Sequence, residues 1–171
     1  MEIIMTDKLE IKFATEQDVS LILSFIKELA EYEKLSHEVE ATEEILKETL
    51  FGEKSHAEVI IAYTDDKPVA FALFFHNFST FLGRPGIYLE DLFVKPEARN
   101  KGIGKKILQY LAQLAKLRNC GRLEWWVLDW NETAISFYKK LGAIPMDEWT
   151  VFRVTGKELE DLANQGSLPS F

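Results

Sequence analysis

The chain has 171 residues, of which 47% are hydrophobic and 28% are charged, and this balance excludes wholesale disorder. The length predicts one domain over residues 1–171, with a core over about 9–164, that needs no disulfide or metal to stabilise it. The net charge of -8 argues against a nucleic-acid partner, because non-specific binding depends on neutralising phosphates. A single cysteine, Cys120, cannot form an internal disulfide and indicates a reducing compartment.

Neither end of the chain predicts a membrane or export segment. Glu2, Asp7 and Lys8 interrupt the first residues, so they lack the apolar region of a signal peptide. The longest apolar runs, such as 69–75, have only the length of a strand, and no membrane partner is expected. We therefore expect a cytoplasmic protein whose last residues, 165–171, form a flexible tail.

The first half of the sequence predicts one strand, two helices and three further strands. Leu9–Phe13 alternates as a strand does, and Thr15 with Asp18 three residues later is typical of the start of a helix. Thr42 is predicted to begin a short second helix that Gly52 ends. The strands that follow are predicted at 58–63, 69–75 and 87–94, with turns at 64–68 and 83–86.

In the second half, predicted helices and strands alternate. They are a helix over 102–117, a strand over 123–128, a helix over 131–141 capped by Asn131, a strand over 149–154 and a helix over 157–163. This order predicts a layered α/β domain with hairpins in its first half and crossovers in its second.

The turn between the strand at 87–94 and the helix at 102–117 carries the strongest chemical signal. The helix begins at Gly102 and Gly104, where backbone N–H groups and the helix dipole favour an anion that glycines allow to approach closely. Four basic residues lie there, Arg99, Lys101, Lys105 and Lys106. Two glycines alone would favour a plain turn with a solvated basic face, but this context predicts a diphosphate site. The spacings of a Walker A loop and of a dinucleotide fingerprint are absent.

Two acidic residues, Glu90 and Asp91, interrupt the apolar strand at 87–94. Alternation predicts one face formed by Tyr88, Glu90, Leu92 and Val94 and another formed by Ile87, Leu89, Asp91 and Phe93. Both faces are otherwise apolar, so a carboxylate there is partly desolvated, as a general base requires. For Asp91 the residues slightly favour a strand-end carboxylate that caps a loop or pairs with a basic residue.

The stretch Arg99-Asn100-Lys101-Gly102-Ile103-Gly104 resembles the R/Q-x-x-G-x-G/A motif of the GNAT superfamily of N-acetyltransferases, and the element order is similar from residue 9 to residue 154. The segments 28–33, 88–91 and 130–143 resemble the diamine acetyltransferase branch, which includes spermidine/spermine and thialysine acetyltransferases. The segments 33–36 and 128–131 are more similar to the thialysine type. The resemblance covers nearly the whole chain.

The resemblance implies a mixed α/β fold with a central, mostly antiparallel sheet flanked by helices, and a homodimer. It implies acetyl-CoA as cosubstrate and a small cationic amine as acceptor. Backbone groups of Leu92, Phe93 and Val94 would hold the pantetheine arm, and Asn131 would contact the cofactor. The diphosphate would lie against Arg99, Asn100, Lys101, Gly102, Ile103, Gly104 and Lys105.

The resemblance also assigns catalytic and acceptor-binding roles. Glu90 would take the proton of the amine, directly or through water, and Tyr138, which also contacts the cofactor, would protonate the departing thiolate. The acceptor would be held by Tyr32, Glu33, Glu90, Asp91 and Trp149. From the residues alone, Tyr138 and the tryptophans are core residues, and Glu33 is equally well a solvated helix end.

Two alternatives remain open at this stage. One is an acetyltransferase for protein or peptide amines, and the other is a non-catalytic module that senses acyl-CoA. No metal is expected, because His37, His56 and His76 lack ligand spacing with each other or with Cys120.

Overall fold

The computed structural model describes residues 9–166, which divide into two compact units. One unit ends at Trp126 and the other begins at Val127. The single-domain organisation stays a prediction. The predictions for the N-terminal residues 1–8 and for most of the tail, 167–171, lie outside the described residues. Within 9–166, no helix combines the length and apolar character needed to cross a membrane.

The first unit is built on one five-stranded sheet in the order β1-β2-β3-β4-β5. Its strands are β1 (Leu9–Phe13), β2 (Glu58–Thr64), β3 (Lys67–Ser79), β4 (Arg84–Val94) and β5 (Leu123–Trp125). The first four pair antiparallel, and β5 runs parallel to β4. This confirms the mixed, mostly antiparallel sheet.

Three helices accompany the sheet, α1 (Val19–Tyr32), α2 (Glu43–Phe51) and α3 (Ile103–Leu117). The backbone N–H of Thr15 donates to the Asp18 carboxylate at 2.8 Å, within a short 3₁₀ turn that leads into α1. The Thr42 hydroxyl accepts from the backbone N–H of Ile45 at 3.3 Å and caps α2. Both caps were predicted because they depend only on neighbouring residues.

The core lies on both faces of the sheet. On one face, Phe25 of α1 stacks on Phe71 of β3 at 5.1 Å between ring centroids and meets Phe93 of β4 edge-on. These residues belong to a buried cluster that α1 and α2 share with the strands. On the other face, the strand residues are also buried but lie outside that cluster. There α3 buries Ile107 and Leu111 against the sheet. Burying one such side chain stabilises the fold by about 1.5–3 kcal/mol.

A β-bulge at Glu90 divides β4 into two parts. Leu73 of β3 pairs with Asp91, but its neighbour Phe74 pairs with Leu89, so Glu90 has no partner in the register. The extra residue reverses the alternation, because side chains of successive residues point to opposite faces. The expectation that Leu89 and Asp91 share a face is therefore wrong. Leu89 lies on the same face as Phe74, whereas Asp91 lies on the same face as Leu73, which packs against the cluster under α1.

The lengths of several strands differ from the prediction. A two-residue turn at Asp65 and Asp66, both with positive φ, joins β2 to β3, so β3 begins earlier than expected. The strand β4 begins at Arg84, within the segment predicted as a turn. The strand β5 ends at Trp125 instead of residue 128.

In the second unit, the described residues 127–166 form two helices, α4 (Glu132–Lys140) and α5 (Gly156–Asn164). The predicted strand over 149–154 is wrong: the segment has no regular structure and pairs with no strand in 9–166, and Phe152 is 90% exposed. Alternation alone does not make a strand, because backbone N–H and C=O groups need a neighbouring ladder. Trp126, Trp130 and Trp149 are exposed, so their prediction as core residues is also wrong.

Candidate active site

The end of β4 offers backbone groups that the sheet does not use. Among residues 9–166, the pairing of β4 with β5 covers only Ile87–Leu89, opposite Leu123–Trp125. Beyond the bulge, the outer edge of residues 90–94 therefore pairs with no strand of the sheet. This segment contains the predicted pantetheine contacts Leu92, Phe93 and Val94. The Val94 carbonyl oxygen accepts from Arg99 Nε, and the other backbone groups that this edge directs away from β3 suit the amides of a pantetheine arm.

The turn after β4 leaves space at the first residues of α3. Gly102 is the N-cap with a φ of 76°, a left-handed conformation that favours glycine, and it provides no side-chain cap to the first N–H groups. Gly104 differs, because a Cβ built there would meet only Val94 Cγ2, at 3.9 Å. Neither the backbone nor the packing requires glycine at 104. The position therefore suits an anion that approaches the helix end closely.

The side chains of this turn fall into two groups. Asn100, Lys101 and Lys105 are exposed, whereas Ile103 is buried and anchors the helix start. Arg99 is half-buried and turned towards the protein: its Nε donates to the Val94 carbonyl oxygen at 2.9 Å. Its guanidinium lies 4.7 Å from the centroid of the Tyr32 ring. Arg99 thus differs in its surroundings from the other residues predicted to hold the diphosphate, and that role stays a prediction for all of them.

Three predicted acceptor-site carboxylates come together from two elements. The pKa of Asp91 is raised from 3.8 to about 6. Burial is the largest cause, and the negative charges of Glu90 and Glu33 add to it in that order. Burial also raises the pKa of Glu33, the residue that follows α1. Glu90 itself is exposed at the bulge, so the desolvated carboxylate of this strand is Asp91. Of the two alternatives for Asp91, pairing with a basic residue is wrong, since the charges that act on it are carboxylates, and capping of a loop stays a prediction.

The helix end that carries Tyr32 and Glu33 is defined by its backbone. The N–H of Leu35 donates to the carbonyl oxygen of Ala30 at 2.8 Å, and Lys34 between them has a φ of 63°. This is the usual termination of a helix by a left-handed residue, with lysine where glycine is common. This termination makes Glu33 the C-cap residue of α1.

Sequence reasoning missed the role of Lys95. Its ammonium lies 3.6 Å from the Glu28 carboxylate and 5.3 Å from the centroid of the Phe25 ring. Both partners lie on α1, three residues apart and therefore on the same face. That spacing was visible in the sequence, but nothing in it indicated which distant lysine meets this face.

The remaining predicted residues lie in the second unit. The Asn131 side chain accepts from the Ala134 N–H at 3.2 Å, which confirms it as the cap of α4. Tyr138 is half-buried on α4, and its ring centroid lies 5.4 Å from that of Phe137. Trp149 is 73% exposed. The roles of these residues towards cofactor and acceptor stay predictions.

Across the described part of the chain, no three His, Cys, Asp or Glu side chains are grouped so as to hold a metal ion. The expectation of a metal-free site stays a prediction.

An unpaired strand edge, a glycine turn at a helix start and interacting carboxylates are thus found on one α/β sheet. The chain belongs to the Acetyltransferase (GNAT) family, whose sequence model matches residues 23–143. The resemblance predicted from the sequence is therefore confirmed.

Individual relatives indicate the branch of the family to which the chain belongs. The thialysine N-epsilon-acetyltransferase of Bos taurus is 41% identical over 166 residues, 91% of this chain and 97% of that protein. The L-ornithine N5-acetyltransferase of Arabidopsis thaliana is 31% identical, over 88% of this chain and 86% of that protein. An integron cassette protein from the mobile metagenome of V. cholerae has a similar structure, with a TM-score of 0.77 and 35% identity over 91% of this chain and 97% of that chain. The chain is accordingly an amine N-acetyltransferase of the diamine and thialysine branch.

Proposed function

We propose that this enzyme transfers an acetyl group from acetyl-CoA to a primary amine of a small cationic acceptor, namely a diamine, a polyamine or a lysine-like amino acid. The observation that carries the proposal is the cluster of Asp91, Glu33 and Glu90 beside the unpaired edge of β4. The ionised form of a buried carboxylate that lies near other carboxylates, as Asp91 does, is stabilised by a cation placed beside it. The relatives named for thialysine and ornithine support an acceptor of this class.

The residues of the first unit fit the cosubstrate. The N–H groups at the start of α3 would hold the diphosphate, with Lys101 and Lys105 supplying positive charge. The backbone of residues 92–94 would bind the pantetheine amides. When bound, acetyl-CoA supplies the thioester that the acceptor amine attacks.

The chemistry is a direct transfer without an acyl-enzyme intermediate. The neutral amine attacks the thioester carbonyl, the new C–N bond forms, and the C–S bond breaks as coenzyme A leaves. Glu90 takes the amine proton directly or through water, and its exposure favours the route through water. Tyr138 donates a proton to the thiolate as it departs. A second ammonium group of the acceptor binds Glu33 and Asp91 and so orients the reacting nitrogen.

The proposal is tested by the release of coenzyme A thiol from acetyl-CoA with a panel of amines. The panel contains diamines of several lengths, a lysine analogue, a neutral monoamine and a lysine-containing basic peptide. Turnover that is fastest with the diamines or the lysine analogue supports the proposal. Turnover confined to the peptide indicates a protein acetyltransferase, and cofactor binding without turnover indicates a sensor; either result contradicts it.

A further inference from the structure

We propose that Arg99 is a positioning residue for the acceptor site: its guanidinium fixes the end of α1, and thereby Glu33, instead of neutralising the cofactor diphosphate. The inference rests on the proposed function, since it concerns how the acceptor edge of that site is held. It separates Arg99 from the other basic residues of the turn after β4.

Within residues 9–166, Arg99 contacts α1 and β4. Its Nε donates to the Val94 carbonyl oxygen at 2.9 Å, and its guanidinium carbon lies 4.7 Å from the Tyr32 ring centroid and 5.5 Å from that of Phe93. A planar guanidinium suits such a site, because it can donate in its plane and lie over aromatic faces at the same time. The hydrogen bond and the two rings fix its orientation together.

The same face of α1 meets a second cation. Phe25, Glu28 and Tyr32 follow one another at spacings of three and four, so they lie on one side of the helix. Lys95 contacts Phe25 and Glu28, and Arg99 contacts Tyr32. The segment after β4 therefore contacts α1 at two levels, through Lys95 at Phe25 and Glu28 and through Arg99 at the last residue, Tyr32.

That last residue immediately precedes Glu33. Tyr32 is 42% exposed, so burial by itself holds its ring weakly, and the cation over the ring supplies a directional contact. The last turns of helices fray readily unless side chains hold them. Without Arg99, the end of α1 would move more freely, and the Glu33 carboxylate would spend less time beside Asp91. The acceptor, not the cofactor, would bind more weakly.

A matched pair of variants separates this role from direct diphosphate binding. Arg99→Gln and Lys101→Gln each remove one positive charge from the same turn, but Lys101 is exposed. We measure the KM of a diamine, the Kd of acetyl-CoA by calorimetry, and amide hydrogen exchange in the peptide over 29–35. Tyr32→Leu and Tyr32→Phe complete the set, because only the first removes the ring.

We expect Arg99→Gln to raise the KM of the diamine about tenfold, the size of one lost oriented cation–π contact and hydrogen bond, with the Kd of acetyl-CoA changed less than about threefold. Exchange over 29–35 should accelerate. Lys101→Gln should show the opposite pattern, a weaker Kd with unchanged exchange. Exchange over 29–35 in Tyr32→Phe should resemble that of the parent, because the ring stays under the guanidinium, whereas Tyr32→Leu should accelerate it.

The inference is overturned if Arg99→Gln weakens acetyl-CoA binding and leaves both the diamine KM and the exchange unchanged. Should Arg99→Gln fail to fold, Tyr32→Leu alters an exposed side chain, and unchanged exchange and KM in that variant contradict the inference equally. Should the parent acetylate no amine, the proposed function fails, and exchange over 29–35 decides the inference alone.

Discussion

Asp91 in β4 and Glu33 at the end of α1 are electrostatically coupled, although they lie far apart in the sequence. Burial, Glu90 and Glu33 together raise the pKa of Asp91 to about 6, with burial the largest cause. Burial and neighbouring carboxylates disfavour the ionised form of Asp91, and a nearby positive charge would favour it. Ionised Asp91 thus carries a free-energy cost in the free protein, and the cationic acceptor that we propose would relieve it.

The coupling predicts a pH-dependent stability for Asp91→Asn. The native pKa of Asp91 exceeds its unfolded value, so the native state binds more protons between about pH 4 and pH 6, and the parent loses stability as the pH rises through that range. At pH 7.5 the ionised group destabilises the parent by about 2–3 kcal/mol, which the asparagine removes. Urea unfolding should find the variant more stable at pH 7.5, with the difference shrinking towards pH 4.5.

The same variant should lose acceptor binding, since a neutral amide cannot pair with an ammonium group. A gain in stability at pH 7.5 with a loss in diamine kcat/KM identifies Asp91 as an acceptor residue. A pH-independent difference in stability would contradict the coupling.

Gly104→Ala should separate cofactor binding from stability. A Cβ at this position meets only Val94 Cγ2 at 3.9 Å, so the fold accepts it, and alanine stabilises a helix by about 0.5–1 kcal/mol over glycine. The methyl group would, however, occupy the space we assign to the diphosphate, and should weaken acetyl-CoA binding roughly tenfold, or about 1.4 kcal/mol. Calorimetry and thermal unfolding on the same sample measure both effects.

Two further changes serve as controls. Gly104→Glu places a side chain and a negative charge in the same space and should abolish acetyl-CoA binding. Gly102→Ala should instead destabilise the fold by about 1–2 kcal/mol, because Gly102 has a left-handed backbone. Unchanged acetyl-CoA affinity in folded Gly104→Glu would exclude this turn as the diphosphate site.

Tyr138→Phe should slow the chemical step and leave the fold intact. The ring still fills its space beside Phe137, and only the hydroxyl is lost. Losing a positioned proton donor costs on the order of 10²–10⁴ in rate, and the lower end applies here because a thiolate leaves without protonation more readily than an alkoxide. Single-turnover acetyl transfer measures the step itself, with the Kd of acetyl-CoA expected to stay near that of the parent. A parent-like single-turnover rate would show that Tyr138 is a packing residue only.

Local signals in the sequence were sufficient for much of the fold. The caps at Thr15, Thr42 and Asn131 and the glycine turn at Gly102 were predictable, because each depends on residues within a few positions. The bulge at Glu90 was not, since the apolar pattern continues past it and only the pairing with β3 reveals the extra residue.

Contacts between residues that are distant in the sequence could not be predicted. The alternation of residues 149–154 predicts a strand, but strand formation needs a neighbouring strand that the segment itself does not specify. The contact of Arg99 with Tyr32 joins two distant positions, and the motif around Arg99 suggested a different partner. The members of the acidic cluster were each predicted as acceptor residues. The burial of Asp91 in place of Glu90 was not predictable, because it follows from the bulge.

The most direct test of this account is the ratio of kcat/KM values for a diamine and for a monoamine of equal chain length that lacks the second ammonium group. Both are measured with acetyl-CoA at pH 7.5. One desolvated charge contact contributes about 1.5–3 kcal/mol, so the account predicts that the diamine is favoured about ten- to a hundredfold. The ratio should fall towards one in Asp91→Asn, in which the buried carboxylate is absent. Equal kcat/KM values for the two amines in the parent enzyme would contradict a site built for cationic acceptors.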